Sequence, residues 1–130
     1  MADSLVTLAG PRGNLVFKET AASSTLEQNV FDKTAPTLYG IAVDATENTG
    51  EDVYLALYED TSATASNTTV GTHHPITVVK CRAGKTIEVI VAEGIPITSS
   101  NYLHACVKQS AGTAGNTSPT GTVSFTLIGE

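Results

Sequence analysis

From Val53 to Leu103 the chain is a succession of short runs in which apolar and polar residues alternate. VYLALYED, ITVVKCR, KTIEVIVA and NYLHACVKQ are set apart by Gly, Pro or Asn/Ser breaks. A period of two places successive side chains on opposite sides of an extended chain, so each run reads as a strand with one face turned to a core. No helical apolar period persists anywhere for even about three turns. Thr and Ser make up roughly a quarter of the 130 residues, which suits strands and turns better than helices.

The patterning predicts strands at 14–18, 37–45, 53–60, 75–82, 85–92, 101–109 and 121–128. The stretch Glu19–Phe31 is ambiguous, and Glu27–Phe31 reads either as one more strand or as a single helical turn. Seven or eight short strands with regular turns predict an all-β, antiparallel β-sandwich of jelly-roll-like type. Residues 1–13 read as an N-terminal arm with a short apolar patch, Leu5, Val6 and Leu8, closed by Gly10-Pro11-Arg12-Gly13. Residues 14–130 read as one domain, long enough to bury a core without metal or disulfide staples.

Alternation also assigns faces. Val53, Leu55 and Leu57 should share a core face, as should Ile87, Val89 and Val91, then Leu103, Ala105 and Val107, then Val123, Phe125 and Leu127. On strand 37–45, Tyr39, Ile41 and Val43 oppose Leu38, Gly40 and Ala42, so this strand reads as buried on both sides. Such a strand either lies under a long loop or presents an apolar face to a partner subunit, and on the second reading Tyr39, Ile41 and Val43 join Leu5, Val6 and Leu8 as candidate interface residues.

A net charge of −6 with seven scattered basic residues argues against nucleic acid as a partner. No apolar run approaches the ~20 residues of a membrane-spanning helix, and MADSLVTLAGPRGN has the features of no secretory signal. The expectation is a chain made in a cytoplasm, with no membrane or small-molecule substrate as partner.

Several patterns imitate chemistry. Gly84-Lys85-Thr86 resembles the end of a phosphate-binding loop, but Val79 stands where the motif needs its first Gly and a strand follows where it needs a helix. Arg82-Ala83-Gly84-Lys85 therefore reads as a hairpin turn. His73, His74, Cys81, His104 and Cys106 are zinc-type residues without zinc spacings. The acidic loop from Asp44 to Asp52 misses the calcium-loop pattern and reads as a charged hairpin tip. Cys81 and Cys106 are near enough in strand order to pair, with two reduced thiols as the default. No Gly-x-Ser-x-Gly elbow exists, and with no Trp, four Tyr and three Phe the chain has few aromatic platforms for gripping sugars. No catalytic residue, cofactor or metal ligand is assigned, and the chain reads as a non-enzyme.

The order of these elements resembles a group of small tailed-bacteriophage virion proteins. The matching residues are Val53 to Tyr58, Val70 to Thr72, Pro75, Ala83 to Thr86, Glu93 to Ile97 and Tyr102 to Val107, a little over half the chain. Ile97, where such proteins often carry an aromatic residue, and the His73-His74 pair depart from the pattern. The resemblance implies a β-sandwich of the capsid decoration (cement) type, placed on the capsid exterior of the virion. It implies the major capsid protein as partner and a homo-oligomer, with a trimer favoured. Two other roles stay open: a tail, neck or host-glycan-binding component with loops 61–72 or 111–120 outward, and a non-viral carbohydrate- or protein-binding β-sandwich module. If the arm docks on a neighbour as an added edge strand, deleting residues 2–9 leaves the fold intact and weakens oligomer or capsid binding. Unchanged sedimentation together with unchanged capsid occupancy would refute that role.

Overall fold

The computed structural model describes residues 14–130; the arm, with Leu5, Val6 and Leu8, lies outside the described residues. Seven strands form: β1 (Leu15–Glu19), β2 (Thr37–Glu47), β3 (Val53–Asp60), β4 (Thr77–Cys81), β5 (Thr86–Pro96), β6 (Tyr102–Lys108) and β7 (Thr122–Gly129). They make a four-stranded sheet ordered β1-β7-β2-β5 and a three-stranded sheet ordered β4-β3-β6, antiparallel throughout. No helix forms among the described residues.

Every second side chain of each strand meets the facing sheet, so the alternation seen in the sequence becomes the core. Ile41, Val43, Val123, Phe125 and Leu127 from one sheet close on Val53, Leu55, Leu57, Leu103, Ala105 and Val107 from the other, none more than 1% exposed. Ile87 and Val89 pack against this core from the edge, while Val91 is half-buried. Phe17 holds β1 to the core, its ring 5.9 Å from that of Phe125.

The ambiguous segment after β1 is a degenerate strand. Ala22 donates its N–H to Val123 of β7, and the chain then crosses to the other sheet and runs antiparallel along β6. Val107 donates to Ser23, Glu27 and Ala105 exchange bonds of 2.7 and 3.0 Å, and Val30 donates to Leu103. The ladder is broken because Asn29, Asp32 and Ala35 adopt positive φ. Val30 and Phe31 are nevertheless buried in the core. With this segment counted as a strand, every connection crosses between sheets except that from β3 to β4. That is the interleaved double Greek key of a jelly roll.

The crossing connections correct two expectations. Arg82–Lys85 does form a tight turn, with Lys85 N–H bonded to Arg82 C=O at 3.1 Å, but β4 and β5 belong to different sheets, so it is a corner and not a hairpin. The acidic loop joins β2 to β3 across the sandwich in the same way. At the end of β4 the buried inner-face Cys81 leaves the chain on the core side, from which it swings to the facing sheet.

A bulge corrects a third. The register of β2 shifts between Leu38 and Gly40 against both neighbours. The extra residue resets the alternation, so Leu38, Ile41 and Val43 all point inward while Tyr39 is half-buried outside that row. Tyr39, Ile41 and Val43 therefore do not share a face, and Ile41 and Val43, each 1% exposed, offer no surface to a partner. Opposite the bulge, Gly94 holds φ +79°, and a Cβ there would run into Thr37 and Tyr39. Gly94→Ala is expected to cost about 1–3 kcal/mol, read from urea unfolding. Gly112→Ala, where a Cβ meets nothing within 4 Å, leaves the midpoint unchanged.

Candidate interaction surface

The outer face of the three-stranded sheet is sealed by the protein's own loops. Ala56, Tyr58 and Cys106 form a small buried cluster there with Leu26, Val70 and Val78 packed over it. Asp60, 4% exposed, organises the loop after β3. Its carboxylate accepts from Ser62 N–H at 2.8 Å, Asn67 N–H at 2.9 Å and Thr68 hydroxyl at 2.8 Å. Burial alone would raise the Asp60 pKa, but these bonds outweigh it and hold the carboxyl below its ordinary value.

His104 and Lys108, both fully buried, clamp two further segments to β6. Asn29 N–H donates to His104 Nδ1 at 2.9 Å, and Nε2–H donates to Ser62 C=O at 3.0 Å. Both ring nitrogens are thus spent on a neutral tautomer, and burial holds its pKa below the ordinary value despite the Ser62 bond and the charge of Asp60. Lys108 Nζ donates to the carbonyls of Gly112 at 2.7 Å and Gly115 at 3.2 Å, folding the loop after β6 around its ammonium. Tyr58 hydroxyl is buried without a hydrogen-bond partner, and burial, then the adjacent Cys106, pushes its pKa to about 12. Burial pushes the Cys106 thiol to about 11, which removes it as a nucleophile near neutral pH.

The residues that imitated chemistry are dispersed. Cys81 belongs to the core between the sheets and Cys106 to the outer cluster, so the two thiols lie on opposite faces of one sheet and are unpaired. His73 Nδ1 accepts from Thr69 N–H at 2.9 Å, and His74 meets the Thr113 hydroxyl. The loop carboxylates are spent as braces: Asp44 on Thr46 at 2.6 Å, Glu51 on Thr120 at 2.7 Å, and Asp52 on Ala83 N–H at 2.9 Å. Among the described residues no three His, Cys, Asp or Glu side chains stand together as metal ligands.

The four-stranded sheet presents a different outer face. One row across it, set by the register, is Val16, Ile128, Gly40 and Ile90. Its middle is buried, but its ends, Val16 at 45% and Ile90 at 55%, are among the most exposed large apolar side chains described. The next row is Lys18, Thr126, Ala42 and Glu88. It floors a shallow trough of about 360 Å³ that extends to Asp44 and Ser124. Sequence reasoning did not single out Val16 or Ile90. The signal was present, because each is an apolar residue at an outward position of an alternating strand, NLVFK and TIEVIVA.

The buried polar groups set an acid response. An unfolded histidine takes its proton near pH ~6.5, whereas folded His104 stays neutral to lower pH. Stability therefore starts to fall as the pH drops below about 6.5. Asp60 contributes stability above the unfolded carboxyl value of ~3.9, and that contribution is lost as the pH falls through its lower folded value. Asp60→Asn is expected to cost about 1–3 kcal/mol at neutral pH and to shrink the lower stage, to which Asp44, Glu51, Asp52 and Glu59 also contribute, read from urea midpoints between pH ~3 and ~8.

No family model matches the chain, and no curated protein matches it. Among solved structures it is similar to a chain of the acid-stable capsid structure of Helicobacter pylori bacteriophage KHP30. The identity is 8%, the match covers 88% of this chain and 84% of that one, and the TM-score is 0.40.

Proposed function

We propose that the chain is a non-enzymatic structural protein of a tailed-phage virion that binds the outer surface of the capsid and stabilises it, acting as a homo-oligomer. The observation that carries this reading is the contrast between the two outer faces. One face spends its polar side chains on its own loops, with Asp60, His104 and Lys108 all consumed internally. The other ends in exposed apolar residues at both strand edges. Exposed apolar side chains at both borders of one sheet support an assembling role on this reading. Jelly rolls are a common architecture of viral capsid proteins, and the turn order of Val53 to Val107 resembles small phage virion proteins. The partner on this reading is the major capsid protein, and a trimer is the favoured assembly.

The test is addition of the purified protein to empty capsids that lack it. The expected result is saturable retention on the shells and a rise in their resistance to heat or to chelator. Absence of retention, or selective binding of the isolated protein on a glycan array, would replace this reading with a receptor-binding role.

A further inference from the structure

The two borders of the four-stranded sheet fit each other. Among the described residues, β1 and β5 each have a strand neighbour on one side only. Edge strands are usually protected by a lysine, a proline or a short length. β4 has such protection: it is five residues long and carries Lys80, which is paired with Asp52 at 3.4 Å. β1 is equally short and carries Lys18, whereas β5 has neither lysine nor interior proline over its 11 residues and exposes Ile90.

We infer that the chain associates with a second copy of itself by sheet extension, β1 of one copy adding antiparallel to β5 of the next. The strand directions require this sense. Each neighbour in β1-β7-β2-β5 is antiparallel to the last, so a fresh β1 placed beyond β5 continues the alternation. The backbone phase agrees. Ala45 N–H bonds to Lys85 C=O, which makes Asp44–Thr86 a non-hydrogen-bonded pair and turns the main-chain groups of Ile87 and Val89 toward β2. Glu88 and Ile90 then direct theirs to the open edge. Carried across the continuous registers of the sheet, the same alternation leaves Val16 and Lys18 of β1 directing theirs to the opposite edge.

One register gives the three central residues of β1 complementary partners on β5, with Leu15 falling opposite Val91 and Glu19 opposite Ile87. Val16 set opposite Ile90 joins the two exposed ends of the apolar row into one, and it brings Lys18 opposite Glu88, both exposed. On the inner side it places Phe17 beside Val89, two residues only partly buried at the borders of the core. Opposite charges and apolar pairs directly across strands both stabilise a ladder, and about four new main-chain bonds form. The contact is head-to-tail, so copies close into a ring when the rotation permits. A β5–β5 pairing about Ile90 joins acidic strands bearing Glu88 and Glu93 and has no cation to offer, so the second copy's β1 is the better-matched occupant. This inference deepens the oligomer part of the proposed function and rests on that part alone, not on the identity of the shell.

The test is sedimentation of the full chain with edge variants. Wild type is expected to be oligomeric. Val16→Lys and Ile90→Lys should each weaken association by about tenfold or more while leaving the unfolding midpoint near wild type, since both side chains are exposed. Mixing the two variants should restore a dimer, because one copy retains an intact β1 and the other an intact β5. Lys18→Glu and Glu88→Lys should each weaken association and the double variant should recover it, which keeps the test valid if either lysine substitution unfolds the chain. A monomeric wild type, a Val16→Lys chain as associated as wild type, or failure of both the mixing and the charge-swap rescue would overturn the inference. A monomer that still binds capsids would overturn it and leave the capsid reading standing. An oligomer with intact edge dependence and no affinity for capsids would do the reverse.

Discussion

The fold depends on one constraint: two sheets can each bury only one face against the other, so apolar side chains must recur at every second position along β2, β3, β6 and β7. Where they do, as at Leu55, Leu57, Phe125 and Leu127, exposure is at most 1%. Burying one such side chain is worth about 1.5–3 kcal/mol. The rest follows from that closure. Strand ends on the core side must cross to the facing sheet, and outer faces are left to be covered or exposed.

The two outer faces meet that choice differently. Over the three-stranded sheet the covering is the protein's own loops, and loops carry main-chain groups that need partners once buried. His104 supplies an acceptor to Asn29 and a donor to Ser62, Asp60 gathers the amides of Ser62 and Asn67, and Lys108 gathers carbonyls between Gly112 and Gly115. These groups are structural because each is already saturated. A catalytic or ligand-binding group needs spare hydrogen-bonding capacity facing solvent, and here that capacity has been used to fix loop geometry.

Strand positions were legible in the sequence, because a period of two is a local property and VYLALYED or GTVSFTLI displays it within one run. Sheet membership was not. The turn Arg82–Lys85 looks the same whether the strands it joins pair with each other or with different neighbours, and only the inward position of Cys81 decides for a corner. The bulge at Tyr39 was hidden as well, since it depends on partner strands remote in sequence, and it moved Ile41 and Val43 from a supposed surface into the core. The degenerate strand along β6 lacks alternation altogether: its bonds at Ser23, Glu27 and Val30 are spaced unevenly, so no periodic pattern marks it. At the candidate surface the sequence held a usable sign in Val16 and Ile90, apolar residues at polar-face positions, but their meaning required knowing that both strands lie at sheet borders.

Border strands decide how such a sandwich behaves toward other chains. A closed barrel has no edges, whereas a jelly roll keeps them and must shorten, charge or cover each one. β4 is short and charged, and β6 is covered by the segment around Glu27. β1 is as short as β4 and carries Lys18, while β5 is long; among the described residues neither is covered on its outer side, yet their outward residues are not uniformly sticky. Each carries one apolar and one charged side chain at matching positions, Val16 with Lys18 and Ile90 with Glu88. A purely apolar edge would accept any extended segment in any register. A charged residue two positions from the apolar one penalises slipped or like-strand pairings, because they set like charges together or leave a charge against an apolar neighbour. At the proposed junction, edge composition of this kind favours one partner in one register, which is what separates assembly from aggregation at sheet borders uncovered among the described residues.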